Sequence, residues 1–177
     1  MNKHEEQIEE FNKKKMEYIE NVEEHQYLTF VLSDEIFAIE VLRIKEIIGL
    51  GQITPVPTMP EYIEGVINVR GNVVPVVSLA KRFKLALADV THRTCIIIVS
   101  AHVEGDILDV GLIVDMVNQV YDILPSHIES TPMFGSAIRK DFIQKVGKVN
   151  NKFISILDIE GITSLQEISL TDDKQYI

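Results

Sequence analysis

EYIEGVINVRGNVVPVVSL, residues Glu61 to Leu79, is the stretch that decides the fold class. Val and Ile crowd both of its arms, and the pattern is that of strands bounded by a tight turn. Gly71-Asn72 reads as the two-residue connection, since Gly and Asn accept positive φ at little cost and tight hairpins require it. Pro75 punctures the returning arm. Arg70 stands where the apolar run breaks, and a charge placed there must reach solvent, a carboxylate or a partner.

Working outward, the same grammar recurs. Leu28, Phe30 and Leu32 alternate with Thr29 and Val31, Ser33-Asp34-Glu35 makes a turn, and Phe37, Ile39 and Val41 continue the alternation. GQITPVPTMP carries prolines from Pro55 to Pro60 and is excluded from helices and central strands. The second half is a loose copy of the first. TCIIIVS from Thr94 is a strand, Glu104-Gly105-Asp106 a turn, and Leu108 to Val114 a returning strand followed by Asp115 to Val120. A segment with Pro125 and Pro132 replaces the first half's proline-rich stretch, and a second hairpin turns at Asn150-Asn151. VVPVVSL from Val73 is echoed by FISILDI from Phe153, so the repeat is weak in identity but consistent in order. Short helices are expected at Ser78 to Phe83 and Asp158 to Leu165. Short strands at this spacing, with few helices, predict an all-β protein of small barrels or a sandwich, and the two similar halves suggest two small barrels sharing an interface.

Asn2 to Glu24 is different: rich in Glu and Lys, without Gly or Pro. Ile8, Phe11, Tyr18 and Val22 share one helical stripe, which Lys15 interrupts. The segment reads as a helix that docks weakly or stays mobile. A solvated extension and a partner-binding helix are both open readings.

The chain has 177 residues, 46% of them hydrophobic and 25% charged, the composition of an ordinary globular protein. With no Trp and 7% aromatic residues, an aliphatic core is expected. A formal net charge of −10 disfavours nucleic acid and anionic membrane surfaces as partners. There is no apolar run of membrane-spanning length and no signal-peptide pattern, and the lone Cys95 excludes an intrachain disulfide; all this is consistent with a cytoplasmic protein.

Catalytic or metal chemistry finds no foothold in the pattern. The five histidines have no metal-ligand spacing, the glycines form no phosphate loop, and Cys95 reads as a small buried hydrophobe with a protonated sulfur. Ser100 and His102 face the same way on a strand but lack an orienting acid, and Asp106 and Asp109 read as solvated. What remains is adhesive. Glu46 in RIKEIIG and Arg70 in NVRG are charges inside aliphatic strand sequence. If their strands are neighbours, the guanidinium can grip the carboxylate. Such a pair is either an ordinary surface salt bridge or the brace that orients an exposed Arg, a residue enriched at binding hot spots.

The order of these motifs resembles the CheW family of bacterial chemotaxis coupling proteins, from about Gln26 to about Leu165. The specific pieces are FAIEVLRIKEII, ITPVPTMPEYIEGVINVRGNVVPVVSL, GLIVDMV from Gly111, and ILDI near Ile156. The resemblance implies two five-stranded β-barrels around a shared core, the first over about 28–88 and the second over about 94–158. Exchange of terminal segments between them is left open. Residues 1–25 are then a helical extension and 166–177 a tail. It further implies a non-enzymatic adaptor without cofactor or metal. Such an adaptor couples the cytoplasmic tips of methyl-accepting chemoreceptors to the regulatory domain of the histidine kinase CheA. It is cytoplasmic, is recruited to membrane-associated receptor arrays without inserting in the membrane, and has further CheW copies in rings as an added partner. The receptor tip would lie between the barrels on Ile44, Glu46, Ile47, Gly65, Asn68, Arg70, Gly71, Gly111 and Val117. This sequence departs from the family pattern at Val69, where Leu is usual, at Ser78, where Asp is usual, and in its longer N-terminal extension. A single-stranded nucleic-acid-binding β-barrel is the alternative, which would require a basic groove with stacking aromatics.

Overall fold

The computed structural model describes residues 2–18, 25–130, 138 and 140–164, with side chains of the first span described through residue 15. The N-terminal stripe, Asn2 onward, forms helix α1 (Lys3–Tyr18). Asn2 caps it: its side-chain oxygen accepts from the Glu5 N–H at 2.9 Å, while the Glu5 carboxylate accepts from the Asn2 N–H at 3.0 Å. The first half then contributes strands β1 (Gln26–Leu32), β2 (Glu35–Glu40), β3 (Ile44–Gly49), β4 (Ile63–Val69) and β5 (Asn72–Ser78), followed by the one-turn helix α2 (Leu79–Arg82). The second half contributes β6 (Cys95–Val103), β7 (Asp106–Val114), β8 (Met116–Asp122), β9 (Ile128–Ser130), β10 (Ile143–Val149) and β11 (Lys152–Leu157), then α3 (Ile159–Ile162).

Among the described residues four hairpins close on two-residue turns: Ser33-Asp34, Arg70-Gly71, Glu104-Gly105 and Asn150-Asn151. All eight residues have positive φ, from 49° to 88°, the primed-turn geometry that matches strand twist. The expected Gly71-Asn72 turn is thus displaced by one residue. Val69 pairs with Asn72, and Arg70 is itself the first turn residue at φ 52°. The Asn68 side-chain oxygen holds it by accepting from the Gly71 N–H at 3.0 Å.

The strands form one sheet ordered β8-β1-β2-β11-β10-β9 and one ordered β3-β6-β7-β5-β4. The protein is all-β with short helices, but one expectation is corrected. The sheets are open ladders of six and five strands, not closed five-stranded barrels. The strand order also crosses between the two halves of the chain. The β1-β2 hairpin of the first half sits in the six-stranded sheet, and the β6-β7 hairpin of the second half sits in the five-stranded one. Each visiting hairpin pairs in parallel with a host strand, β2 with β11 and β7 with β5. The two halves have therefore exchanged their first hairpins.

Both crossover points are pinned. After β2 the chain passes through a 3-10 turn, Val41–Arg43, where the Arg43 guanidinium donates to the Ser100 carbonyl at 2.8 Å and to the Glu160 carboxylate. After β7, the Asp115 carboxylate accepts from the Ser33 N–H at 2.7 Å and its own N–H donates to Val31 O at 3.1 Å. The repeat also reaches the helices. Ser78 caps α2 by accepting from the Lys81 N–H, and Asp158 caps α3 by accepting from the Gly161 N–H.

Burial follows from this layout. Each sheet curls over a small core of its own: Tyr27, Ala38, Ile123, Ile154 and Ile156 in one, Val74, Val76, Ile96 and Ile98 in the other. A larger shared core lies between them. It is not purely aliphatic, as composition suggested. Phe30, Phe37, Phe83 and Phe142 form a chain of rings with successive centroids 6.0, 5.8 and 5.3 Å apart. Few aromatics, gathered in one place, supply the centre. Arg82 is buried beside this chain, its guanidinium 4.3 Å from the Tyr62 ring centre and 4.6 Å from that of Phe142, with Nε donating to Ile162 O at 3.0 Å. Among the described residues no helix is long and apolar enough to cross a membrane. The expected Val22, Pro132 and 166–177 features lie outside the described residues.

Candidate functional site: a braced hairpin tip beside a helix-filled groove

β3 and β4 end the five-stranded sheet on opposite sides. Even so, Arg70 Nε and Nη2, in the turn after β4, lie 3.2 and 3.3 Å from Glu46 Oε1 and Oε2 on β3. The sheet has curled until its two margins face each other, and this ion pair spans the seam where a closed barrel would have main-chain bonds. The hydrogen bond to Glu46 raises the Arg70 pKa further. Glu46 is mostly covered while the Arg70 side chain is 81% exposed. The carboxylate is thus the fixed partner and the guanidinium the presented one, with donors left over for another molecule.

The other margin of the seam is closed by packing. Gly65 has φ 144°, and a Cβ placed there would sit 2.1 Å from the Thr54 carbonyl oxygen. This close approach lets Thr54 pair with Val66 through two main-chain hydrogen bonds of 2.9 Å. Gly111 is buried inside the curled sheet, where a Cβ would meet Ile96 Cγ2 at 2.8 Å. Neither glycine faces a groove; both admit backbone and side chains of the protein itself. The nine candidate residues therefore separate into three groups. Glu46, Asn68, Arg70 and Gly71 form the hairpin tip and its brace. Ile44, Ile47 and Val117 are buried between the sheets, and Gly65 and Gly111 are interior.

Ile47 and Val117 lead to the N-terminal helix, whose docking the sequence pattern left open. β3 is an edge of one sheet and β8 an edge of the other, and α1 lies against the groove between them. Ile8 and Phe11 pack on the shared core. Asn12 docks on the β3 edge like a strand: its Nδ2 donates to Ile47 O at 2.8 Å, and its Oδ1 accepts from Ile47 N at 2.9 Å. Lys15 does not interrupt the stripe. Its ammonium donates to Val41 O at 2.9 Å, and burial pushes its pKa down to about 8. His4 is also buried. The extension is a docked helix, and its contact stripe is His4, Ile8, Phe11, Asn12 and Lys15. The polar part of this stripe escapes a hydrophobicity reading because its partners are main-chain atoms of the β3 edge and of the Val41–Arg43 turn.

Below the groove, β1 and β8 are out of step between Leu28 and Phe30. The buried Thr29 hydroxyl repairs the ladder, donating to Gln119 O at 2.7 Å and accepting from Gln119 N at 3.2 Å. Asp109, read as solvated, is paired with Lys45 at 2.9 Å. The Cys95 thiol is fully buried, and burial pushes its pKa up to about 12, so it is held protonated. His102 Nδ1 lies 3.3 Å from Glu160, but among the described residues no bond joins His102 to Ser100. Burial opposes ionisation of Glu160, yet hydrogen bonds from Arg43 and the His102 N–H outweigh it and hold the carboxyl at about 2. This carboxylate is locked as an ion pair, unsuited to proton transfer near neutrality. Among the described residues no three His, Cys, Asp or Glu side chains gather as a metal site.

The surface thus offers grip, through a presented arginine and a helix-accepting groove, and the class it defines is an all-β protein-binding module. The chain belongs to the CheW family: the model of the CheW-like domain matches residues 26–167. It is 36% identical over 138 residues to the chemotaxis protein CheW of Bacillus subtilis, covering 76% of this chain and 84% of that one. With CheW of Klebsiella aerogenes the identity is 28% over 148 residues, covering 84% and 87%. The crystal structure of the scaffolding protein TtCheW from Thermoanaerobacter tengcongensis superposes with a TM-score of 0.72 at 31% identity, covering 80% of this chain and 89% of that one. Helix α1 lies outside the residues the family model matches.

Proposed function

We propose that this chain is a non-catalytic chemotaxis adaptor that couples the helical cytoplasmic tips of methyl-accepting chemoreceptors to the regulatory domain of the histidine kinase CheA. The observation that carries the reading is the hairpin tip of a CheW-like fold. Arg70 is held in a positive-φ turn, braced on Glu46 and turned outward to solvent. An exposed guanidinium on a rigid turn can bond a partner's carboxylates or carbonyls without ordering a loose side chain first. The groove between β3 and β8 takes the helix α1, which supports a helical segment such as a receptor tip as a ligand of this fold. The adaptor works at receptor arrays in the cytoplasm, with copies of the same fold as further neighbours in rings.

A receptor-tip pull-down with full-length Arg70→Ala tests the placement. Loss of binding by tenfold or more, with unchanged circular dichroism, is the expected result. Full-strength binding by the folded variant would remove Arg70 from the receptor surface.

A further inference from the structure

We propose that the groove between β3 and β8 is a helix-binding surface which α1 occupies in the free chain, and from which a partner helix must displace it. The inference rests on the receptor reading above and names the competitor for that same surface. Three observations carry it. Ile47 and Val117, two of the residues assigned to the receptor surface, lie under α1. The Ile47 N–H and C=O on the β3 edge are the groups a partner would recognise, and the Asn12 side chain already takes both. Finally, α1 is a poor fit. About 440 Å³ of open space remains along it, bounded by Glu10, Lys14, Gln26, Asn118, Gln119 and Asp122. That is about three times an engineered cavity of 150 Å³, and its lining is mixed, with Leu28, Val41, Val117 and Val120 beside the polar groups, which leaves room for a larger amphipathic ligand.

The contact set also defines the partner's chemistry. Ile8, Phe11, Asn12 and Lys15 follow the spacing i, i+3, i+4, i+7 of one helical face. A competing helix needs two apolar residues to fill the floor, an amide at the next position to bond the β3 edge, and a long polar side chain to reach Val41 O. A second helix packed alongside would fill the remaining space, so a helical hairpin suits the groove better than α1 alone. A surface populated mostly in its occupied form weakens apparent affinity by the fraction left open.

The test uses the full chain and a soluble helical-hairpin fragment of a chemoreceptor tip, with affinity measured by calorimetry. Phe11→Asp puts a charge against the shared core and releases α1. Asn12→Ala, a milder change, removes only the edge bonds. Either variant should bind the fragment about five- to tenfold more tightly than the parent chain. Adding the fragment to the parent should speed hydrogen exchange of the α1 amides while those of β6 stay protected. If Phe11→Asp loses the sheets, Asn12→Ala carries the affinity comparison by itself. Equal or weaker binding by the variants, or unchanged α1 exchange in the saturated complex, overturns the proposal and leaves the receptor reading standing. Absence of binding by parent and variants alike overturns the receptor reading, and this one with it.

Discussion

Replacing Gly65 by Ala places a methyl carbon 2.1 Å from the Thr54 carbonyl oxygen, on a backbone already at φ 144°. Nothing flexible stands in the way; the obstacle is main chain, so the Thr54 segment must withdraw. Withdrawal breaks the two 2.9 Å hydrogen bonds between Thr54 and Val66, at about 1 kcal/mol each. A side-chain-bearing residue in this φ range adds about 1–3 kcal/mol of strain. The sum is about 3–5 kcal/mol, a large share of the ~5–15 kcal/mol that holds a domain together. For a chain of this size it lowers the melting temperature by roughly 10 °C. Urea unfolding followed by circular dichroism measures it, with Gly71→Ala as the control. Gly71 has φ 86° but nothing within 4 Å of a Cβ, so its variant carries strain alone, about 1–2 kcal/mol. If Gly65→Ala is no more destabilising than Gly71→Ala, the clash reasoning is refuted. If Gly65→Ala keeps full stability but loses receptor binding, Gly65 is a contact residue after all.

The Glu160 carboxyl is held at about 2, below its unfolded value, so its stabilisation is complete above about pH 5 and is lost as pH falls towards 2. Its side chain is 41% exposed, which screens the effect to about 1 kcal/mol; Glu160→Gln should lower the urea midpoint at pH 7 and flatten its fall between pH 5 and 2, and an unchanged acid limb would contradict this. Arg82→Lys keeps the charge but loses the planar stack between Tyr62 and Phe142 and should cost about 2 kcal/mol in urea unfolding; a neutral result would deny the stack any role. Because the halves exchange their first hairpins, a fragment of residues 26–88 should stay unfolded by circular dichroism and fold only when mixed with 89–177. Independent folding of the first fragment would contradict the exchange.

Local features were legible in the sequence wherever a local cause fixes them. Ser33-Asp34 and Asn150-Asn151 turn where their residues tolerate positive φ, and Ser78 and Asp158 start helices because a side-chain oxygen can cap them. The Arg70 turn was misplaced by one residue because arginine gains nothing by itself from φ 52°; Asn68, reaching across to the Gly71 N–H, makes that conformation hold. Long-range features were not legible. Phe30 and Phe37 face each other across the local β1-β2 hairpin, but their contact with Phe83 arises only because that hairpin is exchanged, and Phe142 joins them from far along the chain; no alternation pattern records either. The candidate site divides the same way. Glu46 and Arg70 were recognisable as charges without a local partner, and the structure brings them together. Gly65 and Gly111 resembled surface positions by motif alone, and their interior packing depends on Thr54 and Ile96. Asn12 and Lys15 gave no warning, since the groups they bind are main-chain atoms of Ile47 and Val41.

The central claim is that this fold joins a receptor to a kinase, and co-sedimentation tests it most directly. Vesicles bearing a chemoreceptor are spun with CheA, with and without this chain, and the pelleted kinase and its autophosphorylation rate are measured. The account predicts that kinase enters the pellet and is activated only when the chain is present, and that Arg70→Ala abolishes both. Kinase recruitment that is the same without the chain, or that Arg70→Ala leaves untouched, would contradict it.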